Sequence, residues 1–577
     1  MNKAKLLNLC LFIPLVLTFQ GCSSGTNYIT ANDPGTATIR IYKDNNSTSK
    51  DRYIPPKNVK IKLTYNDLSG ALSNNENVCP SIGNVNLLVI PVHVKGEEKY
   101  KTDAIRSDIE KVFFSEGDSR MGFPSVKEYY KESSFGKLNF QGKVTDWYDS
   151  NFTASEITQD YVDDNGVMRS GTIKGKILRD AVDWATKTQG INLKDYDLND
   201  DGSIDAVWLV YDHLDWDSDL RLKLKADPSH SLNDFNSAFW NFTGWDYDTE
   251  PAETPTTSGF SWASFDMMYT SYCKRDEMEV PIFDDFSSIP LDSHTFIHET
   301  GHLLGLDDYY AGDDSYYHPA GQSTMMDQNI CDLDSYSKML LGWVTPYVVY
   351  GTSEIVIPTA SSSDHAVIVI PYNFEKISDE IEKMHNSNAS FDNYIYEFSP
   401  FSEYIMIDLY SPEGLNNKDV YGRNANDGFG EYVIEREQGM SKTGVRIYHI
   451  DSRIFKCEVT DIDGGQILTY VDGYVWDERR LANNEAILMP ISNQKSEESF
   501  QLPSDFNMFD QIRLLEAGGQ NTFDYNEYAT NESLWTTSSD PFDIVTFGYQ
   551  FFNGRYTFNN GEDLPFKIKV TTLKEVN

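Results

Sequence analysis

Asp292-Ser293-His294-Thr295-Phe296-Ile297-His298-Glu299-Thr300-Gly301-His302-Leu303-Leu304-Gly305-Leu306-Asp307-Asp308-Tyr309-Tyr310 reads as one helix with a sharp stop. His298 and His302 are four apart, so both imidazoles leave the same helix face and can share one zinc ion. Glu299 follows the first ligand and leaves the helix about 100° further round. That places a carboxylate near the metal's open position, where it can take a proton from water without being a ligand itself. Asp292 or Ser293 is a suitable N-cap. Gly305 can adopt the left-handed conformation that ends the helix, so the chain turns back and offers Asp308 as third ligand. Asp307 competes for that role, and spacing favours Asp308. Three protein ligands and a water are the arrangement of a catalytic zinc. His294 extends the stripe by one turn and is expected to be solvated rather than a fourth contact.

Working outward, Val85 to Val94 is a buried parallel-type strand, followed by helical patterns at Ala104–Phe114 and Ser125–Lys131. Thr172–Lys187 is a further helix with Ile173, Ile177, Ala181 and Trp184 on one face, and Ala206–Tyr211 a further strand. This alternation favours an α+β core. From about Ser353 short alternating runs take over: Glu354–Ile357, Ala366–Pro371, Tyr404–Tyr410, Gly430–Glu435 and Gly444–Ile450. That half is expected to be mostly β and sandwich-like. The expected organisation is a signal peptide at 1–21, a lipid-attachment tether or small leader module at 22–83, a zinc-site domain at 84–348 and a β-rich domain at 349–577. A strand pair, Ala37–Tyr42 with Val59–Tyr65, is expected inside the leader.

The N-terminus carries Lys3 and Lys5, an apolar run from Leu6 to Phe19, and then Gln20-Gly21-Cys22-Ser23. A basic start and a short apolar run before small residues mark an export signal, too short for a membrane span. The Gly21-Cys22 junction resembles a bacterial lipoprotein signal, which would put a lipid on Cys22 and tether the chain to a membrane; otherwise the chain is secreted. An extracytoplasmic location, at the bacterial cell surface or outside it, follows in both cases. With 48 Lys+Arg against 89 Asp+Glu the net charge is -41, and loss of Lys3 and Lys5 makes it more negative. Such a chain is no general nucleic-acid binder, because affinity for phosphates comes from cations. At 40% hydrophobic and 13% aromatic it has ample material for cores, and it is expected to be a monomer. Cys79, Cys273, Cys331 and Cys457 could form up to two disulfides after export. A second reading of Cys79 makes its thiolate a latency switch on the metal.

Asp197-x-Asn199-x-Asp201-Gly202-Ser203-Ile204-Asp205 places oxygen ligands at alternating positions around a turn glycine, like the first nine positions of an EF-hand loop. Asp197, Asn199, Asp201, the Ser203 carbonyl and Asp205 are the expected calcium ligands. Trp208 falls where a full EF-hand has its bidentate Glu, so the loop is a truncated, structural form. The acids Asp212, Asp215, Asp217 and Asp219 are expected to form a solvated face, and His449 with Asp451 a structural pair.

The motif His298-Glu299-x-x-His302-x-x-Gly305-Leu306-x-Asp308-x-Tyr310, the turn Met325-Met326-Asp327 and the run Ser337-Lys338-x-x-Leu341-Gly342-Trp343 together resemble the immune inhibitor A type of secreted bacterial zinc metallopeptidase. That is a metzincin-like group with Asp in place of a third His. Ser125-Val126-Lys127-Glu128-Tyr129-Tyr130 and Ser133-Ser134-x-Gly136-Lys137-Leu138 are similar to that family's helix and turn before its active site. The resemblance covers Val85 to Trp343 and continues weakly through Gly444–Asp451. It implies a mixed sheet with an active-site helix, a zinc endopeptidase acting on protein or peptide substrates, and Met326 in a loop floor beneath the zinc. The chain departs from the pattern at Asp307, where the family has Pro, and at Trp240-Asn241-Phe242, where relatives show Trp-x-His. A transition-state tyrosine could be Tyr309, Tyr310, Tyr316 or Tyr317. The competing class is a catalytically inactive surface lipoprotein that serves as a binding or adhesion module; an intact Glu299 argues against it.

Overall fold

The computed structural model describes residues 35–43, 52–58, 79–158, 161–162, 168–169, 172–226, 242–246, 254–274, 282, 286–311, 317–370, 403–421, 439–462, 465–470, 486–493, 500–501, 509–550 and 556–576. The signal segment 1–21 with Cys22, the expected strands at Val59–Tyr65 and Gly430–Glu435, and Tyr316 lie outside them. Among the described residues no helix is long and apolar enough to cross a membrane.

The expected alternation of strand and helix is present. In chain order it comprises β1 (Thr36–Tyr42), β2 (Gly83–His93), α1 (Asp103–Phe114), α2 (Val126–Ser133), β3 (Leu138–Val144), α3 (Thr172–Thr188), β4 (Val207–Tyr211), β5 (Phe242–Trp245), β6 (Gly259–Ser264) and α4 (His294–Leu303). One sheet runs β3-β2-β4-β6-β5, all parallel except the edge strand β5. Side chains alternate between its faces. Val85, Leu87, Val89, Trp208 and Val210 pack with α1, α2 and α4, whereas Leu88, Ile90, Val92, Leu209 and Tyr211 pack with α3. The near-continuous apolar run of β2 is what a strand covered on both faces requires.

The helices start where the sequence provides caps. The Thr102 hydroxyl accepts from Ile105 N–H at the start of α1, and Ser125 with Glu128 forms a capping box on α2. The central strand then meets α4. Trp208 on β4 contacts Phe113 and Phe296 at ring-centroid distances of 5.3 and 5.4 Å, and its indole N–H donates to Thr300 Oγ1 at 3.1 Å. This explains why a tryptophan ends the acidic loop: its side chain is committed to the core beneath the helix.

The later half is β-rich as expected. A six-stranded sheet joins Tyr53–Ile54, Tyr347–Val349, Val367–Val369, Glu403–Tyr410, Gly444–Asp451 and Ile512–Leu515 in that order. A three-stranded sheet has β1 at its centre, between Ser353–Pro358 and Lys567–Lys574. Ala37, Ile39 and Ile41 of β1 share an apolar cluster with Val367, Ile405, Ile407 and Ile447 of the larger sheet. The stretch expected as tether or leader therefore contributes a central strand to the β-rich half, because its period-two pattern needs a buried partner face. The opposite face of the six-stranded sheet, with Met406, Tyr448 and Leu514, belongs to the same cluster as α1, α2 and α4, so one core runs across the expected boundary at 348/349.

Candidate metal centre

α4 begins differently from the simplest expectation. Ser293 occupies the N-cap position without a side-chain cap bond; its hydroxyl donates to Pro124 O, and Asp292 Oδ1 receives the first helical N–H, from His294. The end is as the sequence implies. Gly305 has φ +92°, Leu306 N–H bonds back to Gly301 O and Gly305 N–H to His302 O, the pattern of a Schellman stop. The reversed chain brings Asp308 to the helix.

Three atoms then converge. Asp308 Oδ1 lies 2.9 Å from His298 Nε2 and 3.3 Å from His302 Nε2, and the two Nε2 atoms are 3.1 Å apart. Each imidazole is turned by its other nitrogen, His298 Nδ1 facing Met325 O at 2.9 Å and His302 Nδ1 facing Leu306 O at 2.8 Å. A carbonyl can only accept, so both Nδ1 atoms carry hydrogen and both Nε2 atoms present lone pairs in the neutral rings. Two imidazole lone pairs and a carboxylate oxygen at such separations make a cation's donor set, a few tenths of an ångström tighter than the roughly 3.3–3.4 Å edges of a tetrahedron with bonds of about 2.0–2.1 Å to zinc. His298, Glu299 and His302 also offer ligand atoms within 4.8 Å of one another. Burial alone would lower His302 and raise Asp308, but their attraction wins: the Asp308 carboxylate lifts His302 to about 10 and the imidazoles hold Asp308 far below the usual carboxylate range.

Asp307 points elsewhere, taking a hydrogen bond from the Ser492 hydroxyl, and burial pushes its carboxyl up to about 6. Of the two neighbours, Asp308 is the one that reaches both imidazoles.

Glu299 is held from a strand that the sequence pattern does not announce. Thr243 on β5 donates to Glu299 Oε2 at 2.8 Å, its hydroxyl lying 2.6 Å from that of Ser261 on β6, and Ser261 donates to Glu299 O at 3.3 Å. The strand begins at Phe242, the last position of the stretch where relatives show Trp-x-His, and Thr243 is the next residue. What could have found Thr243 is its pairing across from Ser261, a register that period-two reading of so short a strand does not fix. Met326 lies against the helix: a Cβ at Gly301 would sit 2.6 Å from its sulfur. Met325 supplies the carbonyl for His298.

His294 is not solvated as expected. It is 3% exposed, faces Asp292 through Nδ1 and Asp419 through Nε2 at 3.1 Å, and stacks on Phe123 at 3.7 Å. Of the tyrosines, Tyr309 donates to or accepts from Ser337, Tyr317 donates to Asp510, and Tyr310 lies beside Asp308 and Glu299, its phenol raised by burial and by those carboxylates.

The acidic loop is closed as expected around Gly202, at φ +87°. Asp197 accepts from Asp201 and Gly202 N–H, Asp201 from Ser203 N–H and Asn199, and Asp205 from Leu198 N–H. Burial, followed by the Asp197 and Asp201 charges, lifts Asp205 to about 7. Two of the acids after it do not lie on a solvated face: Asp212 is fully buried against His93 and Val94 N–H, and Asp215 is buried beside Asp266, whereas Asp219 is partly exposed beside Lys223 and the Asp217 side chain lies outside the described residues. His449 pairs with Glu403 at 2.7 Å, and Asp451 with Arg453, in keeping with a structural role. Cys79, Cys273 and Cys331 are buried as thiols rather than disulfides; the Cys457 side chain lies outside the described residues. Burial raises the Cys79 thiol well above its ordinary value, and its S–H donates to Pro80 O at 3.8 Å.

Residues 89–214 match the family model described as immune inhibitor A peptidase M6, catalytic domain. Over that span the chain is similar to an immune inhibitor A-type peptidase, a hydrolase of protein or peptide substrates, and the likeness read from Ser125 to Leu138 falls within it. The matched span carries the end of β2, then α1, α2, β3, α3 and β4, and ends before α4. No curated protein matches the chain.

Proposed function

We propose that the chain is an exported, zinc-dependent endopeptidase of metzincin-like build, with a sandwich-like C-terminal half, lipid-anchored through Cys22 at the bacterial surface and acting as a monomer. The observation that carries this reading is the convergence of His298 Nε2, His302 Nε2 and Asp308 Oδ1 with Glu299 beside them, on a chain similar to an M6 peptidase.

His298, His302 and Asp308 would hold the zinc, which when bound polarises the scissile carbonyl and lowers the pKa of water. Glu299 takes the proton of the attacking water as the O–C bond forms, then passes it to the departing nitrogen as the C–N bond breaks. Thr243 keeps one carboxylate oxygen fixed, so the other faces the substrate. Met325 and Leu306 carbonyls keep both imidazoles in the tautomer that presents Nε2. The loop Asp197–Asp205 would hold calcium as a brace where the chain enters β4. The test is casein cleavage by the exported chain, residues 23–577, beside Glu299→Ala, with zinc measured on both. Cleavage by the parent alone, with about one zinc on each protein, is expected; cleavage by Glu299→Ala at the parent's rate would refute the reading.

A further inference from the structure

Beside the three converging acceptors stands a histidine that neither motif nor proposed mechanism uses. His318 Nδ1 lies 2.8 Å from Asp327 Oδ1, and the other Asp327 oxygen accepts from Gln322 N–H. Asp327 has a wholly buried side chain whereas that of His318 is 14% exposed, so the reachable edge of the imidazole is the one away from Asp327, which bears Nε2. A carboxylate on Nδ1 fixes the ring's orientation and makes Nε2 the atom left for a partner.

The ring's place is equally defined. It packs on Tyr310 with centroids 5.7 Å apart, and Tyr310 is the phenol beside Asp308 and Glu299. Asp327 follows Met326, whose sulfur lies against Gly301 of the metal helix. The His318 backbone cannot drift: Pro319 O accepts from Leu514 N–H, and His318 O from Gly321 N–H. The neighbouring Tyr317 hydroxyl is tied to Asp510 and Arg513. The side chains of His302, Asp308 and His318 are each partly open to solvent, at 17%, 10% and 14%.

We propose that His318, as an imidazolium whose Nδ1–H is held by the Asp327 carboxylate, is a catalytic residue of this site that donates its Nε2–H to the scissile carbonyl oxygen as that oxygen becomes negative. The inference rests on the peptidase reading above. It adds no proton transfer: the water proton still travels through Glu299 to the leaving nitrogen, and His318 keeps its own. A donor aimed where charge develops acts on kcat rather than on substrate affinity.

The experiment uses the exported chain with its zinc, and His318→Ala and His318→Gln variants, on one peptide substrate. His318→Ala is expected to keep its zinc and melting temperature and to lose about 100-fold in kcat with KM within about twofold of the parent. Binding of a tetrahedral phosphonamidate peptide, read by calorimetry, should weaken by a similar factor while binding of the cleaved product does not. His318→Gln, which retains a donor, should recover part of both losses. Unchanged kcat, a loss confined to KM, unchanged phosphonamidate binding, or loss of zinc from His318→Ala would each overturn the assignment. A zinc-loaded parent that cuts no peptide would instead overturn the peptidase reading and this inference with it, so the two failures are distinguishable.

Discussion

At His298, His302 and Asp308 three acceptors face one another across 2.9–3.3 Å, whereas at Asp197, Asp201 and Asp205 the carboxylates are taken up by N–H groups of their own loop. The first set is drawn together by distant parts of the chain: carbonyls at 306 and 325, a hydroxyl at 243 and a sulfur at 326. The second is built from nine consecutive residues. A site whose ligands are fixed by the core is ready before its ion arrives, and its loss should be felt in activity. A site made by one loop is shaped with its ion, and its loss should be felt in stability.

The largest expected effect breaks the first site. Glu299→Gln should lower kcat by roughly 1000-fold or more while zinc content stays near one per chain, measured by peptide hydrolysis and metal analysis. Next, Thr243→Val should lower kcat roughly 10- to 100-fold, the worth of a hydrogen bond to a charged group, and Thr243→Ser should restore most of it. An unchanged Thr243→Val rate would mean that Glu299 needs no outside support. Gly301→Ala should cost about 1–3 kcal/mol in urea unfolding, because its methyl must displace Met326; the parent's stability in that variant would show the helix floor to be loose. The smallest effect concerns the loop. Calcium should raise the melting temperature of the parent by a few degrees and leave Asp197→Ala unmoved, with peptidase rate in both tracking folded fraction. A calcium requirement for kcat in fully folded protein would erase the contrast between the two sites.

How far these sites were legible follows from where their parts lie. The zinc motif is local: His298, Glu299, His302, Gly305 and Asp308 fall on one helix and one turn, and helical geometry brings them together whatever surrounds them. The strands Val85–Val94 and Ala206–Tyr211 were legible because burial on both faces leaves a continuous apolar run. Thr243 and His318 were not, since each acts through a residue more than 50 positions or a whole turn away and carries no periodic signal of its own. His294 was misjudged for a similar reason. Its second partner, Asp419, is 125 residues downstream, and no local pattern announces that a carboxylate waits there. Asp212 and Asp215 looked like a charged surface because composition counts charges and not the strand ends under which they sit.

β1 pairs along its length with the last strand, from Thr36 opposite Lys574 to Tyr42 opposite Lys567 with a register shift between Thr38 and Ile39, and Ser353–Pro358 pairs with its other edge. The β-rich half is therefore laced by the first described strand and the last, and neither finishes the small sheet without the other. If the chain is exported from its N-terminus as proposed, this sheet closes only after nearly the whole length has passed. A protease that clipped off everything before Cys79 would not merely free the catalytic half. It would pull the central rung from that ladder and leave two strands with bare edges, a route to aggregation rather than to activation.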